Sequence, residues 1–231
     1  RFFEVIPSKA LLAQVKELTK NSLKKKEFEK IKQQQMLLFD FPHTTFVTSL
    51  PKKPHPLTLA QLDPAQKKQF GHLILKMYFT QLLCGEAIVL DLRPASFLVV
   101  PSLQKQEILW QPSALWSLWD QDFLQNVRDL YTGFYTEQLA LFDEALEKLN
   151  LFCAKDIFLK HFGENQSQLT FQLKDFITTF HSVFLRCQQN QVSLHGNFIC
   201  LGIYLATLYE SLELLGHAFD VRACFENIWQ E

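Results

Sequence analysis

Glycine is scarce in this chain, with seven in 231 residues, whereas phenylalanine occurs 22 times. A turn-dense β protein needs glycine wherever its backbone enters the positive-φ region, so the scarcity favours a helical, aromatic-packed interior. Excess charge is also missing: 23 Lys and Arg face 24 Asp and Glu, for a net charge of −1. That balance removes the bulk electrostatic case for a nucleic-acid partner. No Cys-x-x-Cys pair exists among Cys84, Cys153, Cys187, Cys200 and Cys224. The odd count and wide spacing predict reduced thiols and a cytoplasmic setting. The seven histidines contain no His-x-x-x-His or His-Glu spacing that would chelate zinc, so no metal site is expected. There is no phosphate-cradling glycine loop and no nucleophile elbow. His195 with Cys200, and His181 with Cys187, are spaced so that neither pair shares a helix face. No repeat of fixed period occurs, and the only biased run is rich in lysine and glutamine.

The first residues lack the basic, apolar, small-residue layout of a secretory leader, and the chain starts at Arg1, as a fragment or processed form would. The most apolar run, Phe198 to Gly216, has membrane-spanning length. Glu210 and Glu213 lie inside it, and a carboxylate at depth costs roughly 2.5–3.5 kcal/mol on insertion scales. A buried core helix is the expectation.

Periodicity predicts one helix over Ser8 to Leu38, with Ser8 as its N-cap and Leu11, Leu12, Val15, Leu18, Leu23, Phe28 and Ile31 at three-to-four spacing. Lysines crowd its other face, including Lys24, Lys25 and Lys26. Such a face is either a solvated surface or a binding stripe for an acidic protein or an anionic lipid surface. His43 to Leu50 reads as a short strand. The segment Pro51 to Pro56 cannot continue a strand or helix, because its three prolines remove donors and fix the backbone. Asp63-Pro64 starts a helix running to Leu83. Apolar strands follow at Ala87–Leu90, Phe97–Val100 and Glu107–Leu109. Beyond them the chain reads as helical: Asp120 to Asn150 as two helices broken or bent near Gly133, then Ala154–Phe162, Thr170–Gln189 and Leu194–Leu215, with Gly216 as a C-cap and Asp220 capping a last short helix. Trp110, Trp116 and Trp119 cluster at an apparent helix start. They read as core or interface anchors, with a binding surface as the functional alternative. The fold class is mainly α with a small β element, divided into residues 1–62 and a helical unit at 63–231.

The stretch QLLCGEAIVLDLRPASFLVV, Gln81 to Val100, carries the one motif with chemical content. It resembles the catalytic loop of the AarF/UbiB family of atypical kinase-like proteins, His-x-Asp-x-His-Pro-Gly-Asn followed by an apolar strand. Laid on that pattern without a gap, Asp91 takes the place of the catalytic aspartate and Pro94 that of the proline. Val89 and Arg93 replace the histidines, Ala95 the glycine, and Ser96 the metal-binding asparagine. MYFTQLL, Met77 to Leu83, is similar to the family's preceding helix end, while Trp110-Gln111-Pro112 stands in place of the metal-binding Asp-Phe-Gly. The resemblance extends over residues 10 to 225 and implies a protein-kinase-like C-lobe with a helical C-terminal extension, Pro51 to Pro56 corresponding to the hinge. The family's positioning lysine and alanine-rich loop have no counterpart.

Magnesium prefers hard oxygen ligands, and Ser96 and Trp110 are poor exchanges for an amide and a carboxylate. The resemblance therefore implies a catalytically degenerate pseudokinase, with Asp91, Ser96 and Trp110 vestigial and no cofactor expected. It would act as a scaffold or regulator through a protein partner, with peripheral membrane or isoprenoid lipid contact as a further option. Arg93, Trp116, Trp119, Lys24, Lys25 and Lys26 are its binding candidates. Two other readings stand beside it: an unrelated all-helical interaction module, and a divergent active kinase or ATPase that uses Asp91 with ATP and magnesium.

Overall fold

The apolar periodicity after Ser8 produces two helices where the sequence predicts one. In the computed structural model, which describes residues 5–39, 41–49, 55–100 and 106–229, α1 spans Ser8–Ser22 and α2 spans Lys25–Leu38. The break has a specific cause. The Asn21 carbonyl accepts from the Trp116 indole N–H at 3.3 Å, and its side-chain amide donates back to the Trp116 carbonyl at 3.3 Å. That reciprocal pair docks the turn on a distant strand, and α2 folds back toward the core. Ser8 is the first helical residue and not the cap; Pro7 holds the cap position and makes no side-chain bond.

The short strand β1, Thr44–Val47, follows. Pro51 to Pro54 of the hinge-like segment, and residues 101–105 between the second and third sheet strands, lie outside the described residues. Helix α3, Pro64–Cys84, begins as its sequence dictates: Asp63 accepts from the Gln66 N–H while the Gln66 side chain accepts from the Asp63 N–H, and Pro64 fills the first turn. At its far end Arg128 donates to the carbonyls of Leu82 and Gly85, each at 2.8 Å, satisfying acceptors that the helix end leaves open.

After α3 come β2 (Ala87–Val89), β3 (Phe97–Val100), β4 (Gln106–Trp110) and β5 (Trp116–Leu118). The hairpin β3–β4 pairs Phe97 with Trp110, and β1 adds parallel to β4, so the sheet order is β1-β4-β3. β2 pairs antiparallel with β5, Val89 opposite Trp116. Residues from both sides of position 62 thus share one sheet and one core.

The rest is helical: α4 (Gln121–Tyr135), α5 (Leu139–Lys148), α6 (Lys155–Phe162), α7 (Leu173–Gln189), α8 (Phe198–Leu215) and α9 (Val221–Trp229), with the small ribbon β6 (Leu169–Thr170) and β7 (Ala218–Phe219). Gly133 does not break the helix pair. It lies inside α4, and a Cβ there would come within 2.5 Å of the Phe142 backbone nitrogen. The glycine is needed for the close approach of α5, and the chain turns only after Tyr135. Gly163 and Gly216 end α6 and α8 in the left-handed conformation, and Asp220 caps α9 through the Ala223 N–H. The apolar helix α8 has the length and composition to cross a membrane, yet 61% of it is buried inside the fold. Its carboxylates Glu210 and Glu213 lie on the exposed side. The architecture is mainly α with small β-sheets.

Candidate functional site

Asp91 sits in the turn between β2 and β3, and α8 holds that turn from beneath. The Thr207 hydroxyl accepts from the Leu92 N–H at 3.2 Å and donates to the Leu90 carbonyl at 2.8 Å, while the Ser211 hydroxyl donates to the Leu92 carbonyl. Two hydroxyls four residues apart on one helix face therefore bind the backbone on both sides of Asp91. Above the turn, Gln81 of α3 is fully buried; its side-chain oxygen accepts from the Val89 N–H at 3.0 Å and its amide donates to the Tyr204 hydroxyl at 3.0 Å. Tyr204 in turn donates to the Tyr78 carbonyl, and the Tyr78 and Tyr131 hydroxyls meet at 2.7 Å. Burial pushes these phenols up, so the network stays neutral.

The Asp91 side chain is buried and fully engaged. Its two oxygens accept a forked pair from Arg93, Nε at 2.9 Å and an outer guanidinium nitrogen at 3.0 Å, and the Ser113 N–H adds a bond of 2.7 Å. The Arg93 N–H donates as well, at 3.2 Å. Burial alone would raise the carboxyl, but the bonds from Arg93 and Ser113 outweigh it and hold its pKa down at about 2. A base this weak, with its lone pairs facing fixed donors, is poorly placed to receive a proton from an acceptor hydroxyl. Ser96 is buried in the short 3-10 turn Pro94–Ser96, and its carbonyl accepts from the Gln111 N–H at 2.8 Å. Trp110 is buried in β4 against Phe39, ring centroids 5.6 Å apart, and its indole N–H has no partner among the described residues. Two of the three positions aligned with kinase chemistry are thus tied to the segment after β4, Asp91 to Ser113 and Ser96 to Gln111.

The binding candidates scatter. Arg93 is 47% exposed but its fork is committed to Asp91. Trp116 is a β5 residue and Trp119 precedes α4; both are buried, which corrects the picture of a tryptophan surface at a helix start. Trp116 is a core anchor because β5 turns its first residue inward onto Asn21, and Trp119 packs edge-on against Phe123, ring centroids 5.7 Å apart. Lys24 pairs with Glu27 at 3.0 Å and lies over the Trp116 ring at 5.7 Å, while Lys25 and Lys26 are exposed.

The fold also joins groups that sequence spacing could not. His72 Nδ1 lies 3.3 Å from Cys224 Sγ, 152 positions away. Burial raises the thiol to about 12 and lowers the imidazole, so the pair is a neutral hydrogen bond and not a thiolate–imidazolium nucleophile. Of the residues that position the Asp91 turn, Thr207 and Ser211 carried a readable signal, two polar residues at helical spacing in an otherwise apolar run. Ser113 carried none.

Compared with known proteins, the chain matches no protein-family model and no curated sequence.

Proposed function

We propose that this chain is a kinase-like scaffold of the AarF/UbiB type whose Asp91 loop serves the fold and not phosphoryl transfer. The observation that carries the reading is the Asp91 carboxylate, held by Arg93 and Ser113 with its pKa near 2. The order of elements supports the kinase-like part: a long helix ending at Cys84, a strand, the aspartate turn, a strand pair and then a helical tail. The reading implies no need for ATP or magnesium. Thermal unfolding with ATP, with and without magnesium or manganese, is expected to show no metal-dependent stabilisation. A stabilisation that requires metal and disappears in Asp91→Asn would instead establish a divergent kinase or ATPase.

As a scaffold, the protein would meet an acidic protein partner through the α1–α2 hairpin. Residues 8–38 hold eight lysines against three glutamates, in a chain whose net charge is −1. Lys9, Lys16, Lys20, Lys25, Lys26 and Lys30 have no ion pair among the described residues. Leu23 at the tip is 78% exposed beside Lys20, Lys25 and Lys26. Changing Lys20, Lys25 and Lys26 together to glutamate leaves stability within roughly 0.5 kcal/mol per site, because these side chains make few contacts. At low salt the same variant is expected to lose roughly tenfold in affinity for a decaglutamate peptide, and the difference to fade at high salt. Equal affinity in the two proteins would remove the hairpin from the proposal. Capture by phosphatidylserine vesicles without peptide binding would make the partner a membrane surface.

A further inference from the structure

A second feature of the fold owes nothing to the Asp91 loop. Where the end of α6 meets the start of α7, a cleft of about 350 Å³ opens beneath β6, with Lys160, Gln166 and Asp175 at its mouth and Phe171, Phe176 and Tyr209 among its walls. Two smaller hollows of about 30 Å³ each share lining residues with it. One is lined mainly by apolar side chains of α6, α7 and α8, the other by Tyr78, Tyr131, Tyr135 and Tyr209 among mostly apolar neighbours. His161, in the last turn of α6, lines the cleft and both hollows. Protein interiors ordinarily leave few voids as large as a water molecule, so His161 is a wall with free space on more than one side.

We propose that this cleft is a binding site for a small neutral aromatic molecule carrying one hydroxyl group. Size permits it: benzene fits an enclosed apolar cavity of roughly 150 Å³, and this open cleft, its aromatic side chains facing a polar side with Thr170, Thr178 and Thr179, is larger. The walls suit an aromatic ring. Phe171 meets Tyr209 edge-on at 4.9 Å, Phe176 lies 5.0 Å from Tyr209, and His161 stacks on Tyr209 at 5.8 Å and 15°. An inserted ring extends a set of edge and face contacts already present. The mouth carries one cation and one anion, Lys160 and Asp175, so its field favours neither charge and an ion gains little by entering.

The hydroxyl follows from His161. Its Nδ1 is 3.3 Å from the Tyr209 hydroxyl, and Nε2 has no partner among the described residues. Desolvation lowers its pKa to about 4, so near neutral pH the ring carries a single N–H. If Tyr209 donates to Nδ1, then Nε2 is a donor; if Nδ1 donates to Tyr209, then Nε2 is an acceptor. A hydroxyl complements either tautomer, whereas a carbonyl complements only the one in which Nε2 donates.

Saturation-transfer NMR on the full chain with p-cresol, toluene and benzoate tests the assignment. Binding of p-cresol is expected near the millimolar range. It should be roughly tenfold tighter than that of toluene or benzoate, the worth of one net hydrogen bond. His161→Phe keeps a ring in place and removes both nitrogens; it should erase the preference for p-cresol over toluene while toluene still binds. Thr179→Trp, on the α7 wall shared by the cleft and the apolar hollow, should abolish binding of all three at an unchanged melting temperature. Absence of p-cresol binding at about 10 mM, a preference that survives His161→Phe, or binding that survives Thr179→Trp would each overturn the site.

Discussion

At pH 6, Asp91→Asn is expected to destabilise the protein by about 3 kcal/mol, and the deficit should shrink as the pH falls from 4 toward 2. The carboxylate is 1% exposed and accepts from the Arg93 fork, the Arg93 N–H and the Ser113 N–H. Asparagine turns one acceptor into a donor that faces donors, and a buried N–H or guanidinium loses its partner. Removing one member of a buried pair costs roughly 3–5 kcal/mol. The lower end applies because Arg93 is 47% exposed and water screens it.

The pH dependence has a defined sign. The folded-state pKa of Asp91 is depressed from 3.8 to about 2. Its contribution is therefore complete above the unfolded-state value and is lost as the pH falls through about 2, once the folded carboxyl also takes a proton. Urea unfolding of both proteins between pH 6 and pH 2 measures the effect. Stability curves that run parallel over that range would show that the carboxylate's charge is not what the turn uses. A structural Asp91 also changes how any activity measurement on its variants must be read, since loss of fold precedes loss of chemistry.

The second large effect is expected at Gln81. Gln81→Met nearly conserves volume, so no cavity term enters, and the cost comes from polar groups left behind. The Val89 N–H loses its acceptor in a fully buried place, and the Tyr204 hydroxyl loses a donor. About 2–3 kcal/mol follows, because an unpaired buried donor costs close to its full desolvation. Tyr204→Phe alone should cost about 1 kcal/mol, with less in the Gln81→Met background, since the two side chains are one network. Strict additivity in that cycle would contradict the coupling. Hydrogen exchange supplies a second readout: the Val89 amide should exchange faster in Gln81→Met than in the unchanged protein.

Much of the local structure was legible because it rests on short-range rules. Asp63, Pro64 and Gln66 form a capping box within four residues, and Gly163, Gly216 and Asp220 do their work within one turn of a helix end. Where a distant partner intervened, sequence reasoning failed. One helix over residues 8–38 was the sound expectation from periodicity, and it is wrong because Trp116, 95 positions from Asn21, takes hold of the turn. Gly133 reads as a breaker by itself and is a spacer because Phe142 lies against it. Trp110, Trp116 and Trp119 read as core or interface anchors with a binding surface as the alternative, and the fold decides for the core, pairing of β5 with β2 turning Trp116 inward.

The Gln81 to Val100 stretch divides in the same way. The sequence alone determined that a helix ends near Cys84, that two apolar strands flank Asp91, and that Ser96 and Trp110 offer poor ligands for magnesium. Each of these depends on residue type and on neighbours within a few positions. Only the tertiary structure decided what Asp91 does, because its environment is assembled from Arg93, from Ser113 beyond the β3–β4 hairpin, and from Thr207 and Ser211 on a helix more than 100 residues away. A carboxylate's basicity is a property of the donors and the dielectric around it, and those arrive through folding.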